Sequence, residues 1–439
     1  MKVVDVRPSS AGARWLVSIC LAYLMLRPVG FNEILLPVIA VLGLTSIAEV
    51  IHRRRRLAQE VGLVIGLFLA VGVFGSAIGS GNPGLPNGML VWLAAPVVFG
   101  VWTFSADERM LRTILRTSAL ITIVLSTGII LFVGGSVGVI PQFFSSSVME
   151  QAGAGFGSDV GGATAIRYYG VSTLVGAAPM WATAAILPSH PLLPRKLLST
   201  IAAITAAGAV LLAGRNAIVL VLLLVPLIIW IVARIIGRRR ERQLRPSAVV
   251  AGTLAFCAGL FAAPAMFANA AVQRTWLSVG AFFSGQATES ADQTIRSEQA
   301  NRLVAAWGES PFFGHGWGAT LEGYSRGEGR QWTFELQYHM LLFQVGLMGV
   351  LVVLVAVGVA VTAVVKAGRT RPDMIPLLLV TGAAAMAMLI ANATNPYLQA
   401  PGHMWAVYLV LMVTNIALTA KVDSPAPFVR AAHAATPSG

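Results

Sequence analysis

An arginine inside hydrocarbon costs roughly 2.5–3.5 kcal/mol on insertion scales. That makes Arg215, in the stretch AGAVLLAGRNAIVLVLLLVP, the first residue to ask about chemistry. It either faces a polar cavity or an anionic partner, or it snorkels to lipid phosphates. A second constellation is Glu335 with His339, in FELQYHMLLFQVGLMG. Their i, i+4 spacing puts both on one face of a helix. A carboxylate so placed would orient the imidazole and raise its pKa, which suits a general base or a phosphate-binding cation. The plainer alternative is an interfacial histidine held by a neighbouring carbonyl. A third set is Arg296 and Arg302, on a helix-like stretch from Asp292 to Trp307 that Gly308 and Ser310-Pro311 stop. Glu298 and Arg302 are also i, i+4, the spacing of an ordinary surface ion pair. Arg296 lies about 120° from Arg302 around such a helix, so the two do not form one clamp.

Other chemistries find no support. No metal-ligand spacing surrounds His315, His339 or His403, and no acidic cluster suits Mg²⁺. No phosphate-cradling glycine loop leads into a basic residue, which argues against an ATPase. The reading therefore expects no metal and no cofactor. In PFFGHGWG the glycines permit a close turn with His315 at its centre. Cys20 and Cys257 both lie in apolar runs and read as small buried side chains.

The elements that must position these residues are membrane spans. Hydrophobic residues make up 56% of the 439-residue chain and charged ones 11%, against roughly 25% charged in a soluble domain. The formal charge of +13 does not indicate nucleic acid, because the cations sit in short clusters between long apolar runs. About 20 apolar residues cross a bilayer as a helix. Runs of that kind fall near 13–28, 31–51, 62–80, 87–104, 112–135, 166–188, 197–213, 216–236, 248–268, 336–365, 373–391 and 402–420. The expected fold is an all-α polytopic membrane protein of about twelve transmembrane helices, with one large, partly helical extracytoplasmic loop. From Leu198 to Ala233 the chain is too long for one span, so Gly214-Arg215-Asn216 is read as a tight turn near the outer interface.

With the N-terminus in the cytoplasm, 23 of the 31 cations fall on inner segments, among them Arg53–Arg56, Arg109, Lys196, Arg238–Arg240 and Lys366. Inner loops are the basic ones. The expected organisation is a cytoplasmic N-terminus at 1–12, nine spans over 13–268, an extracytoplasmic loop over 269–334, three spans over 335–420, and a disordered cytoplasmic tail at 421–439. No cleavable signal is expected, so the first span stays.

Three patterns resemble the O-antigen ligase and O-antigen polymerase superfamily of bacterial membrane glycosyltransferases. LLAGRNAIVLVLLL is similar to its small-residue–Arg turn before a Leu-rich span. RLVAAWGESPFFGHGWG is similar to its Arg-x₄-Trp segment running into Pro-x-x-Gly-x-Gly, and HMLLFQVGLMG to its His-Asn-x-x-Leu run ending in Gly-Leu-x-Gly. Met340 stands where the family often has Asn. The resemblance spans about Gly170 to Met412. It implies a metal-independent, inverting glycosyltransferase at the outer face of the cytoplasmic membrane. Its partners would be a polyprenyl-diphosphate-linked glycan as donor and a glycan or glycolipid hydroxyl as acceptor. Arg215 and Arg302 would bind the diphosphate, with Arg296 in reserve and Arg167 a weaker candidate, and His339 oriented by Glu335 would take the acceptor proton. A flippase for lipid-linked oligosaccharides is the main competitor. It would need broken helices near the midplane and repeat symmetry, and neither is visible in the sequence.

Overall fold

The computed structural model describes residues 8–29, 32–136, 140–143, 155–158, 164–168, 170–213, 215–237, 291–324 and 330–420. The expected ninth span (248–268), the Arg238–Arg245 cluster, Cys257, all of 269–290 and the tail lie outside the described residues. Thirteen α-helices follow in order: α1 Ala11–Leu26, α2 Asn32–Arg53, α3 Gln59–Ile78, α4 Leu85–Met89, α5 Ala95–Ser105, α6 Glu108–Ser136 and α7 Leu174–Ile186. Then come α8 Lys196–Leu212, α9 Asn216–Gly237, α10 Ala291–Glu309, α11 Gln337–Thr370, α12 Ile375–Ala391 and α13 Trp405–Thr419. A π-helical turn, Leu90–Ala94, joins α4 to α5. A small antiparallel hairpin, β1 Gly155–Ser158 with β2 Thr164–Arg167, departs from an all-α fold. Arg167 closes β2 opposite Gly155, so it does not open a membrane helix as the sequence suggested; that helix begins only at Leu174.

Among the described residues six helices are long and apolar enough to cross a membrane: Glu33–Arg53, Gln59–Ile78, Leu85–Ser105, Glu108–Gly135, Gln337–Thr370 and Pro372–Ala391. Five further apolar helices are shorter. Their packing is that of a membrane protein. Leu44, Ile51, Leu351 and Leu354 are more than half exposed, an apolar exterior that belongs in lipid. In contrast, α7 is buried from Leu174 to Ala184 and α13 over nearly its whole length. Helices apolar on every side belong at the centre. Gly176, Ala177 and Ala178 allow that close approach, Gly176 resting against Ala406.

The helix ends gather into two poles. At one, Ser9 N–H and Arg55 Nη2 both donate to Asp107 Oδ2, at 2.7 and 2.9 Å. Nearby, Arg53 pairs with Glu49, Lys366 with Glu60, and Arg371 with Asp373 and Glu108. Asn415 ties in α13 by accepting from Ala58 N–H at 2.8 Å. Burial pushes the Asp107 carboxyl up, but N–H donors from Met110 and Ser9 and the charge of Arg55 outweigh it and hold the group below its ordinary value. At the other pole lie Met25–Pro28, the turn after α3, Arg215, α10 and the segment between α12 and α13.

Candidate functional site

α8 ends at Leu212 and α9 starts at Asn216, so the helix break falls where the turn was expected. Arg215 therefore sits at the mouth of α9, its carbonyl accepting from Ile218 N–H at 3.0 Å. The positive end of the α9 dipole adds to the guanidinium charge at that point. Across from it stands Tyr397, in the 3₁₀ turn Tyr397–Gln399 between α12 and α13. Burial raises the Tyr397 hydroxyl pKa, while Arg215, beside it, and then Arg296 pull it back down. The Arg215 side chain lies within hydrogen-bonding reach of the buried Tyr397 hydroxyl, and among the described residues no carboxylate pairs with that guanidinium. A guanidinium that faces a neutral hydroxyl instead of a carboxylate keeps its charge uncompensated, which suits an anionic ligand.

Arg296 completes the group from α10. Its Nε donates to Glu335 Oε2 at 3.0 Å. The register is set by Gln299, one turn along the same face and fully buried. Its carbonyl oxygen accepts the N–H groups of Glu335 and Leu336, at 2.9 and 3.1 Å. Leu303, a further turn on, anchors that face in the small core formed with Phe334 and Phe343. Arg302 leaves the helix elsewhere. It pairs with Glu298 at 2.9 Å with both side chains about half exposed, and its guanidinium lies over the Tyr324 ring at 5.4 Å. It takes the ordinary surface-pair role rather than joining Arg215.

The Glu335–His339 pairing needs correction. Helix α11 begins at Gln337 after a non-helical Leu336, so Glu335 stands outside the helix and the shared face does not exist. The carboxylate turns instead to Arg296. His339 is half-buried in the first turn of α11, and among the described residues its ring makes no hydrogen bond or ion pair.

A network behind Tyr397 was not read from the sequence. His403 is fully buried, donating from Nδ1 to the Tyr397 carbonyl at 2.7 Å and accepting the Ser172 hydroxyl at Nε2 at 2.9 Å. Burial drives its pKa down to about 4, so it is a neutral strut. The hint lay in NPYLQAPGHMW, a polar, proline-bearing insertion between two apolar runs.

The PFFGHGWG segment is a wedge. Helix α11 breaks at Gly346 (φ +60), and His315 and Gly316 N–H take the freed carbonyls of Phe343 and Gln344 at 3.0 and 2.7 Å. Trp317 donates to Gly72 and stacks on Trp92 at 4.7 Å. The His315 ring is spent on the Ala306 carbonyl at 2.8 Å, a structural use. The break also corrects the sequence reading that no span is interrupted. Among the described residues no group of three or more His, Cys, Asp or Glu could hold a metal ion. No family model matches the chain, and no curated protein matches it.

Proposed function

We propose that this protein is a glycosyltransferase of the cytoplasmic membrane, moving a glycan from a polyprenyl-diphosphate carrier to an acceptor hydroxyl on the extracytoplasmic face. The observation that carries the reading is the Arg215 guanidinium set against the buried Tyr397 hydroxyl with no carboxylate partner among the described residues, and the charge of Arg296 acting on the same hydroxyl. Two guanidinium charges that both act on one buried hydroxyl suit a diphosphate leaving group, which such donors bind in fork geometry. The three motifs that resemble the O-antigen ligase and polymerase superfamily point the same way. So does the expected topology of about twelve spans with both termini in the cytoplasm.

In this scheme the acceptor oxygen bonds to the anomeric carbon as the carbon–oxygen bond to the diphosphate breaks, inverting that centre. His339 takes the acceptor proton, and the diphosphate keeps the electron pair against Arg215 and Arg296. Glu335 positions Arg296, and Arg302 stays outside the site. A flippase is the second reading, because a transporter would share the broken helix at Gly346. Against it, the freed carbonyls are capped by the loop backbone rather than lining a cavity.

The test is transfer by reconstituted protein from a polyprenyl-diphosphate glycan. Arg215→Ala and Arg296→Ala should each lower kcat by about 10²–10³, the usual loss for one charge-stabilising donor. Arg302→Ala should stay near wild type. Full activity in the first two variants would refute the site, and glycan crossing the bilayer with no new bond formed would favour the flippase. Product length distinguishes a polymerase, which extends repeatedly, from a ligase, which transfers once.

A further inference from the structure

The cations at the pole that holds Asp107 fall into two sets. Arg53, Arg55 and Arg371 pair with Glu49, Asp107 and Asp373. Arg109, Arg112 and Arg116 of α6 and Arg195 ahead of α8 pair with no carboxylate among the described residues. Arg112 is half-buried and the other three are exposed. Helix geometry brings this second set to one seam. A Cβ on Gly208 of α8 would lie 3.5 Å from Ile130 Cδ1, so α6 and α8 touch there. About five turns of 3.6 residues separate Ile130 from Arg112, which therefore leaves α6 on the same side, towards α8. Arg116 and Arg109 lie about 40° and 60° round from it. Both helices begin at this pole and run the same way. About 13 residues back from the contact, α8 has reached Arg195 and α6 has reached Thr117, the neighbour of Arg116. His190 supplies a second tie. Burial lowers its pKa, Asp373 raises it, and Arg371 and then Arg112 lower it further, so Arg112 stands within electrostatic reach of the α7–α8 connection.

Beyond this cationic rim the seam is apolar and faces lipid. Leu197, Ile201 and Ile204 lie within about 40° of Gly208 around α8, and all three are exposed. Leu120 and Val124 continue the exposed side of α6 past Arg116. Guanidinium groups gathered without counter-charges repel one another, and an anion from outside the chain relieves that repulsion. A charged rim over an apolar wall matches a molecule with an anionic head and hydrocarbon tails, whereas a free phosphate would use the rim alone. Basic pockets between membrane helices seat the heads of acidic lipids in this way.

We propose that the α6–α8 seam binds an anionic phospholipid, its phosphate against Arg112, Arg116 and Arg195 and its acyl chains along Leu120, Ile201 and Ile204. This site lies at the opposite pole from Arg215 and does not depend on the transfer reading. The test uses the full chain in phosphatidylcholine nanodiscs doped with phosphatidylglycerol that carries a photoreactive diazirine on one acyl chain. The same diazirine on phosphatidylcholine is the control. Both leaflets carry the probe, so the outcome is independent of orientation. Phosphatidylglycerol adducts are expected within residues 116–124 and 197–204, in clear excess over phosphatidylcholine adducts. Arg116→Gln and Arg195→Gln should each lower that yield about fivefold, the ratio for ~1 kcal/mol per cation near the surface. Arg54→Gln with Arg56→Gln, exposed and equally basic in the α2–α3 connection, should leave it unchanged. Equal labelling by the two probes, or full labelling in the Arg116 and Arg195 variants, would overturn the proposal. An equal loss on changing Arg54 and Arg56 would also overturn it, because any basic loop would then serve. Complete displacement by soluble glycerol phosphate would overturn it too, making the rim a phosphate site with no part for the apolar seam.

Discussion

Six residues separate Arg296 from Arg302 on α10, and at 100° per residue they leave the helix on different sides. The side that carries Gln299 and Leu303 is buried, so Arg296 is drawn to Glu335 and Tyr397 while Arg302 is left to Glu298 in water. Sequence spacing was enough to say that the two do not act together, but it could not say which faces the site. Arg215 was legible because its location is energetically expensive. Tyr397 and His403 were not, because their role arises from contacts with Ser172 and Arg215, some 180 to 230 residues away in the chain. His403 yields a pH prediction. Its pKa falls from 6.5 to about 4 on burial. Between those values the unfolded chain binds a proton that the folded chain does not, so stability rises with pH across that window. The detergent-solubilised protein should be fully stable above about pH 6.5 and lose thermal stability progressively as pH falls toward about 4. His403→Gln should flatten that slope in melting curves taken from pH 7.5 to 4. A slope that survives the substitution unchanged would mean that another group sets it.

At the scale of elements, most described helices lie within the apolar runs read from sequence, although only six are long and apolar enough to cross a bilayer. Breaks inside a helix leave no such trace. Gly346 looks in sequence like a tolerated glycine, and only the wedge from Pro311 to Gly318 explains its φ of +60. A Cβ added there would lie 2.4 Å from the Phe312 carbonyl oxygen, and one on Gly316 would lie 2.1 Å from Gly79 N. Both positions also carry positive φ, which costs a side-chain-bearing residue ~1–3 kcal/mol. Gly346→Ala and Gly316→Ala should therefore each destabilise by about 2 kcal/mol or more, since overpacking adds to the strain. Gly358, on the same helix with nothing within 4 Å of its Cβ position, is the internal control. Gly358→Ala should be neutral or stabilising, by up to ~1 kcal/mol. Thermal denaturation of the three variants side by side checks the ranking; equal melting would mean that the wedge does not hold the break in place.

For the whole molecule, the two poles differ in kind, and the difference bears on orientation. One pole collects paired charges at helix junctions: Asp107 with Arg55, Glu60 with Lys366, Glu108 with Arg371. Beside these pairs Arg109 and Arg369 are exposed, and among the described residues neither pairs with a carboxylate. The other pole holds the arginine site and the wedge. Basic loops resist translocation, so the proposed orientation puts the first pole in the cytoplasm and the site outside it. In a background with Cys20→Ala and Cys257→Ala, single cysteines test this directly. Glu322→Cys and Gln331→Cys, both at exposed positions near the site, should react with a membrane-impermeant maleimide in intact cells. Arg109→Cys and Arg369→Cys should react only after lysis. The reverse pattern would put the arginine site in the cytoplasm, where the proposed transfer to an extracytoplasmic acceptor cannot occur. Mixed labelling within either pole would contradict the grouping of helix ends itself. Because residues 322 and 331 report on the α10–α11 connection while 109 and 369 lie at the ends of two different helices, agreement among them would fix the orientation of the bundle independently of any activity.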